Sequence, residues 1–415
     1  MPQVENQFGD DMKEFNDFIL EKQSLSNILT VRYNPLQKPL LQKLSSEDFT
    51  PTNLQPSSEF IEKIIGSSMC KKIQNVKKIS IALSGGVDST LMLAIFNSIH
   101  PDIEINAISI KFTNSVDETQ IASKISQKFN VKHHVIEIEN YLSELPKAIS
   151  IIGMPFWDIH WYYVIKKAKD FSDGIISGDG GDELFGGYTF RYKKFLSLIT
   201  PQSTPLDKVK AYLQCHERDW VPNQDELFGS KAEFSWDIIY DRLIPYFDNP
   251  LSPIDQVFLA DYNGKLLYNF SPINTRIQNY FGITSIAPLL SPEIISYATH
   301  IPNNLKYDTK RDIGKLLLWN ILDKYQLGGL IPKEKYGFNV NTLNLWKSYG
   351  KKLCDYYLSD SRMVKDGWIN PEWIQRYMNK DDLDVRYVNK FFGLLAFEIW
   401  YRLFVTNEMK SDTKL

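Results

Sequence analysis

The chain has 415 residues, of which 43% are apolar and 13% aromatic, with a formal charge of -3 and a pI near 6.1. That is ample material for a large core, and the charge balance gives no basic footprint for duplex nucleic acid. No apolar run is long enough to span a bilayer, and the start Met1-Pro2-Gln3-Val4-Glu5-Asn6 is unlike a signal peptide. Cys70, Cys215 and Cys354 lie too far apart for a metal or disulfide framework, so each reads as a small core residue of a protein in a reducing cytoplasm.

In chain order, residues 1–56 are polar and then carry scattered prolines (Pro35, Pro39, Pro51, Pro56) without periodicity, which reads as an N-terminal extension or wrapping arm. From Ser57 a helical stripe of Phe60, Ile64, Ile65 and Met69 leads to a β-branched strand over 79–83. Further apolar runs at 103–110, 132–138 and 174–177 alternate with helical patterns at 89–99, 117–129 and 160–170. Strands alternating with helices predict a parallel sheet with right-handed crossovers, an α/β core over 57–195. Residues 196–415 read as helical and aromatic, closing in a mostly buried helix over 391–404. There is no internal repeat and no low-complexity segment.

Two segments carry chemistry. Residues 79–90 run Ile-Ser-Ile-Ala-Leu-Ser-Gly-Gly-Val-Asp-Ser-Thr, a strand that breaks into a glycine turn and restarts as a helix. The two glycines let the backbone approach an anion, and the N–H groups of the turn and helix point at it. Ser84, Ser89 and Thr90 add hydroxyls, while Asp88 repels phosphate unless a divalent cation bridges the two. The loop therefore implies ATP together with Mg2+. It lacks the Gly-Lys-Ser/Thr ending of the usual phosphate loop, and it resembles that of the N-type ATP pyrophosphatases, which cleave ATP between the α- and β-phosphates. Residues 177–188, Ser-Gly-Asp-Gly-Gly-Asp-Glu-Leu-Phe-Gly-Gly-Tyr, then pack three carboxylates and five glycines behind a short strand. The spacing does not fit a calcium loop. Both segments fall at the carboxyl ends of strands, where open α/β sheets bind ligands, and Asp182 is placed to share a magnesium ion with Asp88.

This pair of motifs resembles the synthetase domain of the asparagine synthetases. Asp117-Glu118 with Ala122, Ile125, Phe129 and His133-His134, and the final Glu398-Ile399-Trp400, fit the same pattern, so the resemblance covers 57–404. It implies an adenine-nucleotide α-hydrolase-like, doubly wound parallel sheet with a large C-terminal helical region. It implies an ATP-dependent ligase that adenylates a carboxylate, with aspartate as the default, releases pyrophosphate and transfers ammonia or an amine. Carried onto this chain, the resemblance gives a nucleotide site of Leu83, Ser84, Gly85, Gly86, Val87, Asp88 and Ser89. Ile110 would lie at adenine, Ser177 and Gly178 on the ribose and adenylate side, and Asp88 with Asp182 at magnesium. Asp179 stands where the family carries an acid that orients or deprotonates the nucleophile. Lys333, in Ile331-Pro332-Lys333-Glu334-Lys335-Tyr336-Gly337-Phe338, matches a late lysine that would stabilise charge in the transition state. Lys335 is its neighbouring competitor, and Lys315 matches another family lysine, with a surface or a pyrophosphate role open.

The pattern also breaks. The family's glutaminase domain starts with a cysteine; here Met1-Pro2 leads a segment of about 56 residues too short for such a domain, so ammonia is expected free or from a separate glutaminase subunit. In 281–291 the family's Glu, Arg and Asp are replaced by Thr284, Ile286 and Ser291. Arg276 is kept beside Thr275, Ile331 replaces an arginine, and 154–161 lacks the arginine of aspartate-specific members. The acceptor side is therefore altered. His133, His134 and His160 read as structural histidines, and Lys166, Lys167 and Lys169 as a solvated helix face. A different carbonyl acceptor, such as a sugar, a small metabolite or a tRNA base, or a non-catalytic ATP-binding regulator stand as alternatives; without paired cysteines, tRNA thiolation is disfavoured.

Overall fold

The expected strands form as β1 (Lys78–Ala82), β2 (Glu104–Phe112), β3 (Lys132–Ile138) and β4 (Gly174–Ile176), joined by β5 (Thr284–Ile286). In the computed structural model, which describes residues 18–51, 55–73, 77–113, 117, 119–332 and 340–415, they make one sheet of order β3-β2-β1-β4-β5. Every neighbouring pair is parallel. The helices α1 (Lys22–Val31), α2 (Ser58–Lys72), α3 (Val87–Ile99), α4 (Thr119–Lys128), α5 (Leu145–Ile152), α6 (His160–Ala168) and α7 (Gly181–Phe185) surround it.

Strand periodicity sorts the two faces. Ile79, Ile81, Ile105 and Ala107 turn into one apolar cluster with α3 and α4, while Ala82, Ile108, Ile110 and Ile175 turn into the other with α5 and α6. Helices on both faces make this a doubly wound α/β sheet, as expected. The chain runs outward from β1 to β3 and returns to place β4 beside β1, so the switch in direction lies between β1 and β4.

The helical region that follows is continuous with this core. Both clusters draw residues from either side of residue 195, for example Ile95 with Phe247 in one and Ile149 with Phe391 in the other. The helix Val385–Phe404 buries Glu398, which accepts from Ser361 Oγ at 2.7 Å, from the Arg362 N–H at 3.0 Å and from Arg402 Nε at 2.7 Å. A buried carboxylate so saturated fixes the docking of neighbouring helices.

Residues 18–51 are seated in the fold. Ser24 to Val31 are all buried in α1, and Phe18 packs edge-on against Phe397 and Trp400 at 5.9 and 5.0 Å. Gln224 Nε2 donates to Leu29 O at 2.9 Å and Asn263 Oδ1 accepts from the Leu44 N–H at 3.0 Å. The prolines and polar residues hide this because the helix is short and finds its partners some 200 residues away.

Two expectations are corrected. The segment at 284–286, read only as an altered acceptor stretch, is an edge strand too short to show alternation. Cys354 is buried and Cys215 partly so, but Cys70 is exposed on α2 with its Sγ 3.5 Å from His100 Nε2. Among the described residues no helix is long and apolar enough to cross a membrane.

Leu25, fully buried, should lose about 2–5 kcal/mol of unfolding free energy on Leu25→Ala in urea denaturation, whereas Ile19→Ala, 72% exposed, should stay within about 0.5 kcal/mol.

Candidate active site

The switch between β1 and β4 brings the two glycine segments together. After β1 the Leu83 N–H donates to Ile108 O at 2.9 Å, which ends the strand pairing, and Gly85 turns the chain with φ 78°. Ser84 and Ser89 hydroxyls meet at 3.1 Å across the turn, and Ser89 Oγ also accepts from the Ser84 N–H at 3.2 Å. Gly86 begins α3 without a side-chain cap, so the first-turn N–H groups of a 13-residue helix are presented at the rim.

The second segment passes against the first so closely that side chains are excluded. A Cβ on Gly178 would sit 2.6 Å from Asp88 Cβ, one on Gly181 would strike the Asp88 carboxylate, and one on Gly187 would strike Asp182 Oδ1. Gly180 and Gly186 take φ 92° and 76°. The glycine density noted in the sequence thus has a steric cause: these turns must fold around a pair of acids.

Between those acids lies Lys315. Its Nζ is 2.5 Å from Asp88 Oδ2 and 2.6 Å from Asp182 Oδ1, and all three side chains are at most 20% exposed. Burial works against its charge, but Asp182 and then Asp88 outweigh this and hold the ammonium well above the usual lysine value. Lys315 also takes φ 58°, a left-handed backbone unusual for a side chain of this size. Of the lysines raised by the sequence, Lys315 is the one the described structure brings to the acids. Lys333 and Lys335 lie outside the described residues.

A cavity of about 290 Å³ opens here. On one side it is lined by Ser84, Gly86, Val87, Asp88 and Ser89, with Ser177, Gly178, Asp179, Asp182 and Lys315. Leu83 and Ile110 are buried in the core, and neither they nor Gly85 line it. The remaining wall includes Phe156, Asp158, His160, Trp161, Phe270 and Asn274, most of which the sequence did not single out. Asp179 Oδ2 accepts from Ser177 Oγ and from Asn274 Nδ2, each at 3.0 Å. Burial nevertheless raises its carboxyl above the ordinary value against those two hydrogen bonds and His160.

His133 and His134, read as structural, each have a hydrogen-bond partner within the sheet. His133 Nε2 is 2.8 Å from Ser109 Oγ, and His134 is 2.9 Å from Asn106 Oδ1 with its ring stacked on Phe171. Arg276 donates to Ile152 O at the end of α5, and Ser291 caps the helix Pro292–Thr299. Arg32, after α1, lies over Phe156 and Trp157 at 5.4 and 5.5 Å and within 3.8 Å of Asp158 Oδ2, beside the 154–161 stretch that lacks an arginine.

The family model for asparagine synthase matches residues 61–402. The chain belongs to the asparagine synthase family. Among curated relatives it is 23% identical to the glutamine-hydrolyzing asparagine synthetase 1 of Bacillus subtilis (strain 168), over 77% of this chain and 55% of that protein. The chain therefore spans about half the length of this relative. Two solved structures, the NMN synthetase of Francisella tularensis and the U34-tRNA thiolase of Methanococcus maripaludis, overlap it with TM-scores of 0.27 at 16% and 12% identity. They cover 55% and 80% of this chain, and 94% and 88% of their own. The asparagine synthase match begins after α1, so Arg32 lies ahead of the matched domain.

Removing the ammonium leaves two partly buried acids facing each other. Lys315→Met should cost about 3 kcal/mol in urea unfolding, and Lys315→Met with Asp182→Asn should cost less than the sum of the two single changes.

Proposed function

We propose that the chain is an ATP-dependent amide ligase that adenylates a carboxylate, releases pyrophosphate, and passes the acyl group to ammonia or an amine with loss of AMP. The reading is carried by one observation: two acids, one from each glycine segment, converge on a single cation at the switch point of the sheet. Ligands of open α/β sheets bind there.

The residues fit a magnesium-bound triphosphate. Asp88 Oδ2 and Asp182 Oδ1, at 2.5 and 2.6 Å from one nitrogen, lie at most about 5 Å apart, and small rearrangement lets both ligate one ion. Two carboxylates suit Mg2+, which takes one or two of them and completes its shell with phosphate oxygens and water. When bound, it would neutralise the pyrophosphate and polarise the phosphoryl oxygens. Ser84, Ser89 and the first-turn N–H groups of α3 would hold phosphate oxygens, with Ser177 and Gly178 on the adenylate side. Lys315 would pair with phosphate charge as the acids turn to the metal. Lys333 is assigned the stabilisation of charge at the α-phosphate and at the acyl carbon. Asp179 would orient the incoming nitrogen.

Aspartate is the default acceptor. The cavity wall favours a second reading on this point alone: Phe156, Trp161, Phe270, Leu266 and Ile273 offer apolar surface suited to a carboxylate with a larger apolar group. Ammonia is taken as free or delivered by a separate glutaminase subunit.

Asp88→Asn and Asp182→Asn should each lower carboxylate-dependent pyrophosphate release about 100-fold or more, and Lys333→Ala should lower it as well. Amide should form with ammonium chloride and not with glutamine alone. Unchanged release in either acid variant contradicts the metal assignment, unchanged release in Lys333→Ala removes that lysine from the reaction, and glutamine-driven product refutes the nitrogen source.

A further inference from the structure

The cavity holds a polar cluster that the nucleotide reading leaves unused. The loop between α5 and α6 carries Asp158, and α6 opens with His160; both line the cavity together with Asp179. His160 Nδ1 is 2.9 Å from Asp158 Oδ1, and the same oxygen accepts the Tyr141 hydroxyl at 2.7 Å. Arg32 approaches Asp158 Oδ2 at 3.8 Å. Asp158 is thus fixed by a residue of the β3–α5 loop, by the arginine after α1 and by the first residue of α6. A carboxylate held in this way orients an imidazole and commits Nδ1 to the donor role, so proton exchange with anything in the cavity runs through Nε2.

We propose that His160, oriented by Asp158, is the base that takes the proton from the nitrogen nucleophile in the amide-forming half of the reaction, an inference that rests on the ligase reading above. The lone pair of neutral ammonia or a primary amine forms the C–N bond at the acyl carbon of the adenylate. One N–H proton passes to His160 Nε2, and the C–O bond to AMP breaks with its electron pair leaving on AMP. Water later takes the proton from the imidazolium. Asp179 is the less suited base, since its Oδ2 already accepts from Ser177 and Asn274 and it is a carboxyl rather than an imidazole. It serves to position the nitrogen.

The surroundings favour this division. Burial disfavours the imidazolium, but Asp158 outweighs it, Asp179 from the β4–α7 loop adds to it, and Arg32 opposes it, so His160 lies above its ordinary value. The acids also attract a cationic amine to the cavity before it loses its first proton. Because the base form grows as pH rises through a raised value, amide formation at a fixed concentration of neutral amine should rise with pH through a titration above ~6.5.

The test uses the full chain with ATP, Mg2+ and a panel of L-aspartate, L-glutamate and aromatic carboxylic acids. In His160→Gln, amide formation from ammonium chloride or methylamine should fall at least about 100-fold. Hydroxamate formation from hydroxylamine, whose weakly basic nitrogen becomes acidic enough on C–N bond formation to lose its proton to water, should be largely retained, and with rates compared at a fixed concentration of neutral amine the rising pH limb should disappear. Asp158→Asn should move that limb to lower pH. Equal loss with both nucleophiles, as a purely structural role would give, or an unchanged pH limb overturns the base assignment while leaving the ligase reading in place. Absence of any hydroxamate from the unaltered chain overturns the ligase reading and this inference with it. An imidazole titration by 15N NMR needs no acceptor: a His160 value at or below ~6.5 overturns the inference independently.

Discussion

The ion triad of Asp88, Lys315 and Asp182 is the constraint around which the rest of the rim is arranged. Two like charges held this close in a partly buried site repel strongly, and an ammonium between them is what lets this arrangement persist. Each member comes from a different part of the chain: the first turn of α3, the start of α7 and the residue just before the helix Leu316–Lys324. The triad therefore requires the β1 and β4 loops to be adjacent, which the parallel order β2-β1-β4 enforces. It also requires glycine at 178, 181 and 187, where a methyl group would collide with the acids. The left-handed backbone of Lys315 is the local strain this geometry carries.

Much of this was legible in the sequence, for a physical reason. Strands buried on both faces read as continuous β-branched runs, so β1, β2 and β4 emerged close to their true bounds, and a glycine-rich break after such a strand identifies a rim loop; β3 also emerged, although it is an edge strand with only Ile138 buried. Asp88 and Asp182 were singled out because carboxylates crowded among glycines call for a cation or a ligand, and Asp179 because the resemblance places an acid there. The density of glycines was visible, but its steric origin in the second loop's approach to Asp88 was not.

What stayed hidden depends on contacts distant in sequence. Arg32 sits in a proline-scattered stretch, and nothing local links it to Asp158, 126 positions later. His160 was set aside with His133 and His134 because such a histidine is more often structurally satisfied than catalytic. Its pairing with Asp158 two residues earlier, within the 154–161 stretch read for its missing arginine, was the signal that could have raised it. Lys315 was named but left between a surface and a pyrophosphate role, since a lone lysine gives no indication of burial. The short β5 had no alternation to show.

The cavity joins two groups of residues in one space: a glycine rim with a pair of acids around one ammonium on one side, and an aromatic wall with a histidine–carboxylate pair and a buried acid on the other. That division matches a reaction in which an activated carboxylate is made at the first and spent at the second. The most direct measurement is isotope transfer from a carboxylate labelled with 18O in both oxygens, with AMP and pyrophosphate analysed by mass spectrometry. Attack by the carboxylate at the α-phosphate predicts one 18O in AMP and none in pyrophosphate. Unlabelled AMP, or ADP and phosphate as the products, would contradict it.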